Sequence, residues 1–347
     1  NDLRNMETAV KATKKYKGIA EVAMSYTTSP VHTEDYFVKL AEGIAEMGAD
    51  IICIKDMANL LLPYNAYTLV KRLKAATDLP IVLHTHNTTG TGAMTLLKAV
   101  EAGADVIDTA LSPLGDGTAQ PSTEAQVATY RGTEYDTGID LEKLIDLANY
   151  FRDVADDLTK AGFRDPARVL ATDANTLLYQ VPGGMLSNLI NQLKQANAMD
   201  KYYDVLAEIP RVRKDFGYPP LVTPTSQIVG TQAVMNVLSG EPYKMNPKES
   251  QALMRGEYGR LPAPVNEEVR KKVIGDAEVI THRPADDIPP ELDKYREEIR
   301  EYYQQEEDVL SYALFPQVAI KFFQYRQAKQ LQVDSTMLDK EAKVMPV

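Results

Sequence analysis

Runs of apolar residues alternate with amphipathic stretches through the first third of the chain. Ile19-Ala20-Glu21-Val22-Ala23-Met24-Ser25-Tyr26 reads as a strand, and Thr33 and Glu34 open a helix to about Met47, with Thr33 as its cap. Ala49–Lys55 is a second strand, followed by a helix from about Pro63 to Ala76. Leu79–His86 is a third, with a helix over about 92–102, and Ala104–Ala110 is a fourth. The strand cores are nearly continuous in apolar residues, as expected of strands covered on both faces. Glu46-Met47-Gly48-Ala49-Asp50 and Glu101-Ala102-Gly103-Ala104-Asp105 almost repeat, each reading as helix end, glycine cap and next strand. Alternating strands and helices predict a parallel sheet, either an open doubly wound sheet or a (β/α)8 barrel.

Polar residues favour the barrel. They gather at the C-terminal ends of three strands: Ser25-Tyr26-Thr27, Lys55-Asp56 and His84-Thr85-His86-Asn87. Barrel active sites collect at that rim. No Gly-x-Gly-x-x-Gly follows any strand, which argues against a dinucleotide-binding sheet. Only four strands can be counted, and residues 1–17 read as a helix that would follow an earlier strand. After Gly115 the pattern turns helical, with helices predicted over about 122–130, 140–161, 183–197, 200–214, 226–239 and 247–254. Thr225 or Ser226 would cap the fifth of these. Six prolines lie in residues 1–170 and fourteen in 171–347, in keeping with an interrupted second part. The organisation expected is 1–135 as a half barrel, 136–330 as a helical domain and the rest as a tail.

Composition narrows the function classes. The 347 residues carry a net charge of −11, which argues against a nucleic-acid backbone or an anionic membrane surface as the main partner. Residues 285–308 hold ten acidic and three basic side chains and read as a solvated helix after Pro289-Pro290. The single cysteine, Cys53, cannot form an internal disulfide and reads as core. No apolar run reaches the length of a transmembrane helix, so the expected location is the cytoplasm, at most peripheral to a membrane complex.

His84 and His86 lie two apart on a strand, which points both imidazoles to one face, and imidazole is a common transition-metal ligand. The alternative is a pair of hydrogen-bonded core histidines. Lys55 ends the preceding strand with nothing apolar to explain it. A buried ammonium is costly, so such a lysine is paired, deprotonated or modified. Three readings stand: a pair with Asp56 or another carboxylate, a Schiff-base lysine, or a carbamylated lysine, whose carboxylate-like group can bind a metal. Thr118, in Gly115-Asp116-Gly117-Thr118-Ala119-Gln120-Pro121-Ser122, falls at the same rim, either as part of a turn or cap or as a hydroxyl that relays a proton. His32 and His282 are isolated and read as structural.

Longer strings carry a resemblance. Residues 48–58 (Gly-Ala-Asp-Ile-Ile-Cys-Ile-Lys-Asp-Met-Ala), 80–90 (Pro-Ile-Val-Leu-His-Thr-His-Asn-Thr-Thr-Gly), 117–122, 179–189 and 217–234 resemble the carboxyltransferase subunits of biotin-dependent enzymes. The oxaloacetate decarboxylase alpha chain and the carboxyltransferase subunit of two-subunit pyruvate carboxylases are the members most similar, over about residues 1–330. The resemblance implies a (β/α)8 TIM barrel, of which about four strands are present, followed by a mostly α-helical funnel domain. It implies a divalent metal, zinc or manganese, held by carbamylated Lys55, His84 and His86. Thr118 would shuttle a proton between the biotin ring and the enolate of pyruvate. The implied reaction moves a carboxyl group reversibly between carboxybiotin and pyruvate or oxaloacetate.

Two features of the family are not matched. An Asp-Ala-His-Gln motif with a fourth metal ligand and an arginine for the substrate carboxylate belong to the family's first barrel half. No Ala-Met-Lys-Met biotinyl motif occurs, so biotin would arrive on another domain or chain. The partners implied are a biotin carrier, a biotin carboxylase subunit or membrane decarboxylase subunits, and further copies of the chain. The competing readings are a metal-dependent aldolase or acyl-CoA condensing enzyme, a Schiff-base aldolase, and an inactive scaffold fragment.

Overall fold

The computed structural model describes residues 2–181 and 183–332 and divides into two units, Asn1–Pro284 and Ala285–Val347. The first unit opens with helix α1 (Arg4–Lys15) and then alternates β1 (Glu21–Ser25), α2 (Glu34–Glu46), β2 (Ile51–Asp56), α3 (Pro63–Ala76), β3 (Ile81–Thr85), α4 (Gly92–Glu101) and β4 (Val106–Ile107). The four strands are parallel and paired in chain order, β1-β2-β3-β4, the order of a β/α barrel. Thr33 caps α2 as the sequence predicts, accepting from the Tyr36 amide at 3.3 Å. Proline at the first position of α3 fits that helix start.

The sheet is covered most completely on one face. Val22, Met24, Ile52, Ile54, Ile81 and Leu83 point to that face and form one core with Phe37, Ile44, Leu69 and Leu96 from the helices. The opposite face carries Glu21 and Ala23, both exposed, then Ser25, Lys55 and His84, all partly buried. The expectation of cover on both faces holds for the central strands, where Cys53 and its neighbour Val82 on this face are buried, and fails at the edge strand β1. The apolar runs are real, but among the described residues nothing packs across Glu21 and Ala23. Cys53 lies on this face and is nevertheless buried, with its thiol pushed up to about 12 chiefly by burial.

The fourth strand is shorter than the seven residues expected. Val106 and Ile107 alone pair with β3. The Asp108 amide still reaches the Leu83 carbonyl at 3.0 Å, after which the chain leaves the ladder and Ala110 bridges Ser122 instead. Helices α5 (Thr123–Tyr130), α6 (Leu141–Lys160), α7 (Pro166–Val169), α8 (Asn175–Tyr179), α9 (Gly183–Gln195), α10 (Tyr202–Asp215), α11 (Thr225–Ser239), α12 (Lys248–Met254) and α13 (Glu267–Ile274) follow. All six helices expected after Gly115 begin and end within about two residues of the expected limits. The cap expected for α11 is not formed: the Thr225 hydroxyl donates to the Pro220 and Val222 carbonyls instead of accepting from the helix.

A second core joins Leu189, Leu193, Ile209, Val212, Phe216, Val229, Ala233 and Leu253 from α9 to α12. Arg213 on α10 ties this helical part to the strand rim. Its guanidinium donates to the Thr27 hydroxyl at 2.8 Å, the Thr28 carbonyl at 2.9 Å, the Pro219 carbonyl at 3.0 Å and the Gln180 amide oxygen. Burial among these neutral acceptors lowers its pKa to about 10.

The second unit contains α14 (Leu292–Glu298), α15 (Glu306–Leu314) and α16 (Pro316–Leu331) around Ile299, Val309, Ala319 and Phe323. The acidic stretch 285–308 is not one solvated helix. It breaks at 299–305, and Asp308 turns inward to hold Arg326 at 2.8 and 2.9 Å. Helix α16 passes without break through 330, where the sequence suggests a tail; residues 333–347 of that tail lie outside the described residues.

Candidate functional site

Parallel register sets Ser25, Lys55 and His84 side by side on the partly open face at the strand ends. His86 follows just past β3, and its ring centroid lies 5.4 Å from that of His84. Strand periodicity thus brings Lys55, His84 and His86 to one rim, as the sequence implies. The expected alternative pairing of Lys55 with Asp56 is overturned, because adjacent strand residues face opposite ways. Asp56 is fully buried on the helix side, where it accepts from the Leu60 amide at 3.0 Å, the Leu61 amide at 2.9 Å and the Thr85 hydroxyl at 3.1 Å. Burial pushes its carboxyl up, against the pull of these donors. Among the described residues, Lys55 makes no ion pair.

Both imidazoles are oriented through Nδ1. His84 Nδ1 lies 2.8 Å from Asp108 Oδ2, and His86 Nδ1 lies 2.5 Å from the Thr118 carbonyl. Each partner accepts, so each Nδ1 carries a proton, and in the neutral imidazole Nε2 is then the nitrogen with the lone pair. The two lone pairs converge on one amide nitrogen, Gln120 Nε2, at 3.3 Å from His84 and 3.2 Å from His86. Burial holds the His86 imidazole below its ordinary value, and nearby His84 and Lys55 act in the same direction. Imidazoles whose second nitrogen is tied to a carboxylate or carbonyl are the usual form of metal-ligating histidine. Two imidazoles so placed can enter the shell of a transition ion, and among the described residues no further His, Cys, Asp or Glu joins them to make a set of three.

The loop 115–122 brings Thr118 to the rim. It lies in a turn, as one of the expected readings has it, closed by the Ala119 amide donating to the Asp116 carbonyl at 2.9 Å, and it does not cap the next helix. Helix α5 begins at Thr123, and the Thr118 backbone amide bonds the Val169 carbonyl at 2.8 Å. Gly117 makes that approach possible: its φ is +54°, and a Cβ there would stand 2.1 Å from the Val169 oxygen. Asn87 locks the loop to β3, its side-chain amide donating to Asp116 at 2.9 Å and its oxygen accepting from the Gly92 amide at 2.8 Å. Gly92 is required there, since a Cβ would lie 2.6 Å from the His86 carbonyl. Thr118 and His86 open into a cavity of about 240 Å³ that also has Met57, Met185, Asn188 and Ser226 on its walls. The cavity therefore lies between the strand rim and helices α9 and α11.

Asp108, Asn87, Gln120 and the α9 and α11 residues are not singled out by the sequence as site residues. Asp108 had a usable signal. Leu83 pairs with Ile107 in register, so the next residues, His84 and Asp108, fall side by side. Gln120 lies within a string that carries the family resemblance but has no local pattern pointing to two histidines more than thirty residues earlier.

Parallel β/α units with polar rim residues, followed by a helical part roofing the rim, define an enzyme fold of the barrel class. The HMGL-like family model matches residues 2–151, and the conserved carboxylase domain model matches residues 176–345. A pyruvate carboxylase subunit of Methanocaldococcus jannaschii is 54% identical over 325 residues, covering 93% of this chain and 57% of that protein. The methylmalonyl-CoA carboxyltransferase 5S subunit of Propionibacterium freudenreichii is 44% identical over 333 residues, covering 94% of this chain and 65% of that protein. The solved carboxyl transferase domain of Rhizobium etli pyruvate carboxylase with pyruvate superposes with a TM-score of 0.86 at 30% identity, over 92% of this chain and 56% of that one. The chain belongs to the carboxyltransferase family of biotin-dependent carboxylases, an enzyme family with the HMGL-like TIM-barrel fold. It spans between about half and two thirds of the length of these relatives.

Proposed function

We propose that this chain carries the metal ligands and the proton relay of a biotin-dependent carboxyltransferase that moves a carboxyl group between carboxybiotin and pyruvate or oxaloacetate. The observation that carries the reading is the convergence of His84 Nε2 and His86 Nε2, each imidazole being pinned through Nδ1. Lys55, His84 and His86 are the ligands proposed, with Lys55 carbamylated. The ammonium itself has no lone pair to offer, and the neighbouring strand position sets it beside His84. A bound divalent ion supplies Lewis acidity that stabilises negative charge on an enolate oxygen.

The remaining chemistry belongs to the chain's own side chains. Thr118 presents its hydroxyl at the cavity beside His86, where it can pass a proton between an enolate carbon and a ring nitrogen. Its backbone amide and its hydroxyl both donate to the Val169 carbonyl, at 2.8 and 3.3 Å, so the hydroxyl is positioned before a substrate arrives. The apolar walls from Met57 and Met185 limit water around a carbanion-like centre that water would protonate. In the family, the further metal ligand and the carboxylate-binding arginine belong to other barrel strands. We propose that such strands complete the sheet at its edges β1 and β4 and that a carrier domain delivers biotin. The functional boundary between barrel and helical domain is placed near residue 135.

The test is elemental analysis of the purified chain. About one zinc or manganese per chain is expected, lost in the double variant H84A/H86A. Full metal retention in that variant, with its fold intact by circular dichroism, would sink the proposed centre.

A further inference from the structure

We propose that Gln120 is a plug for the metal position: its carboxamide saturates the two inward-facing histidine lone pairs while the ion is absent and rotates out when the ion binds. The inference rests on the metal-centre reading above and adds a residue to which that reading gives no role.

The hydrogen bonds leave little freedom. With Nδ1 of His84 donating to Asp108 and Nδ1 of His86 donating to the Thr118 carbonyl, the Nε2 atom of each neutral imidazole is an acceptor. A primary amide nitrogen has two hydrogens, and Gln120 Nε2 lies 3.3 and 3.2 Å from the two acceptors. One hydrogen goes to each ring, and every donor and acceptor in the set is used. The flipped amide would set an oxygen lone pair against two nitrogen lone pairs, so the network also fixes which end of the amide faces inward. The plug carries no charge, yet it presents the electropositive end of a dipole where a cation would lie.

Plug and ion exclude one another. Imidazole nitrogen binds zinc at about 2.0–2.1 Å. An ion at that distance from both Nε2 atoms occupies the space now filled by the amide hydrogens and crowds the nitrogen behind them. The backbone at Gln120 has little room to adjust, because its carbonyl accepts from Asp116 at 2.8 Å and the next carbonyl, of Pro121, accepts from Ala110 at 3.1 Å. The exchange is therefore a rotation of the half-buried side chain. Because Asp108 and the Thr118 carbonyl orient the rings independently, removing the amide leaves both tautomers in place and removes only a competitor for the lone pairs.

The test is nitrogen NMR on the full chain, first stripped of metal and then titrated with zinc, together with zinc affinity by calorimetry. In the stripped chain, scalar couplings across N–H···N bonds are expected from Gln120 Nε2 to both histidine Nε2 atoms. One equivalent of zinc is expected to abolish them and shift the Gln120 amide. Q120A is expected to keep Nδ1–H in both rings and to bind zinc roughly threefold to tenfold more tightly, since two competing hydrogen bonds are gone. A Gln120 amide unmoved by bound zinc, or zinc binding by Q120A no tighter than by the native chain, overturns the plug and leaves the metal centre standing. Failure of zinc and manganese to bind the native chain at all overturns both.

Discussion

Asp108 Oδ2 stands 2.8 Å from His84 Nδ1, a contact between residues on adjacent strands that sets which nitrogen of His84 faces the cavity side of the rim. A carboxylate behind a ligating imidazole fixes its tautomer and raises its basicity, and loss of such a partner typically costs about 10–100-fold in metal affinity or activity. D108A is expected to weaken zinc binding by about that factor while leaving the thermal melting curve nearly unchanged, since Asp108 is a partly exposed group. Zinc titration of the variant by calorimetry checks this. An unchanged dissociation constant would mean that Asp108 does not hold the ligand.

Gly117 is the point where the Thr118 loop touches Val169. A methyl group at 2.1 Å from a backbone oxygen cannot be absorbed by a side-chain movement, and φ of +54° adds strain for any other residue. G117A is expected to displace Thr118 and to lower carboxyl-transfer turnover in the assembled enzyme as far as T118A does, with T118S retaining more activity than either. Turnover of G117A near the native value would show that the position of Thr118 is not what the loop supplies.

Arg213 has four acceptors, two of which, the Thr27 hydroxyl and the Thr28 carbonyl, join α10 to the residues following β1, and its charge is buried. Replacing it by methionine leaves the Thr27 hydroxyl and three oxygens without their donor. Each buried group left unpaired costs about 1–3 kcal/mol, so R213M is expected to lower stability by several kcal/mol and to loosen the helical part from the rim. Hydrogen exchange should show the largest gain at Thr27 and Thr28 and in α10. A gain confined to other helices would contradict the strap.

His32 is buried against Tyr36 and Phe37, with Nδ1 on the Ser29 hydroxyl at 2.7 Å and Nε2 without a partner. Burial lowers its pKa from 6.5 to about 4, with the charge of Arg213 acting in the same direction. Between those values the unfolded chain binds a proton that the folded chain refuses. The stability linked to this residue is therefore present above pH 6.5 and is lost as pH falls toward 4. H32F is expected to flatten the melting temperature over that range relative to the native chain. Parallel profiles for the two proteins would remove His32 from the acid response.

Much of the fold is legible in the residues taken in order. The short apolar runs in Ile51–Asp56 and Ile81–Thr85, the turn glycines Gly48 and Gly103 and the 3.6-residue pattern of α2 to α4 are local properties, and local geometry sets strand, turn and helix, with successive strand residues pointing to opposite faces. The same periodicity sends Lys55 and His84 to one face and Asp56 to the other. Order along the chain implies parallel strands, and parallel register then makes neighbours of residues some thirty positions apart. Lys55, His84 and His86 were readable for that reason.

What completes the site depends on contacts that have no period. Gln120 reaches His84 and His86 because the loop 115–122 folds back on Asn87, and Thr118 is where it is because Gly117 lies against Val169. Arg213 finds Thr27 and Thr28 across more than 180 positions. Pairs of this kind have a polar partner at one end only once the helical part has packed onto the rim. The residues themselves carry the chemistry, and the packing of α9 to α11 decides which of them meet.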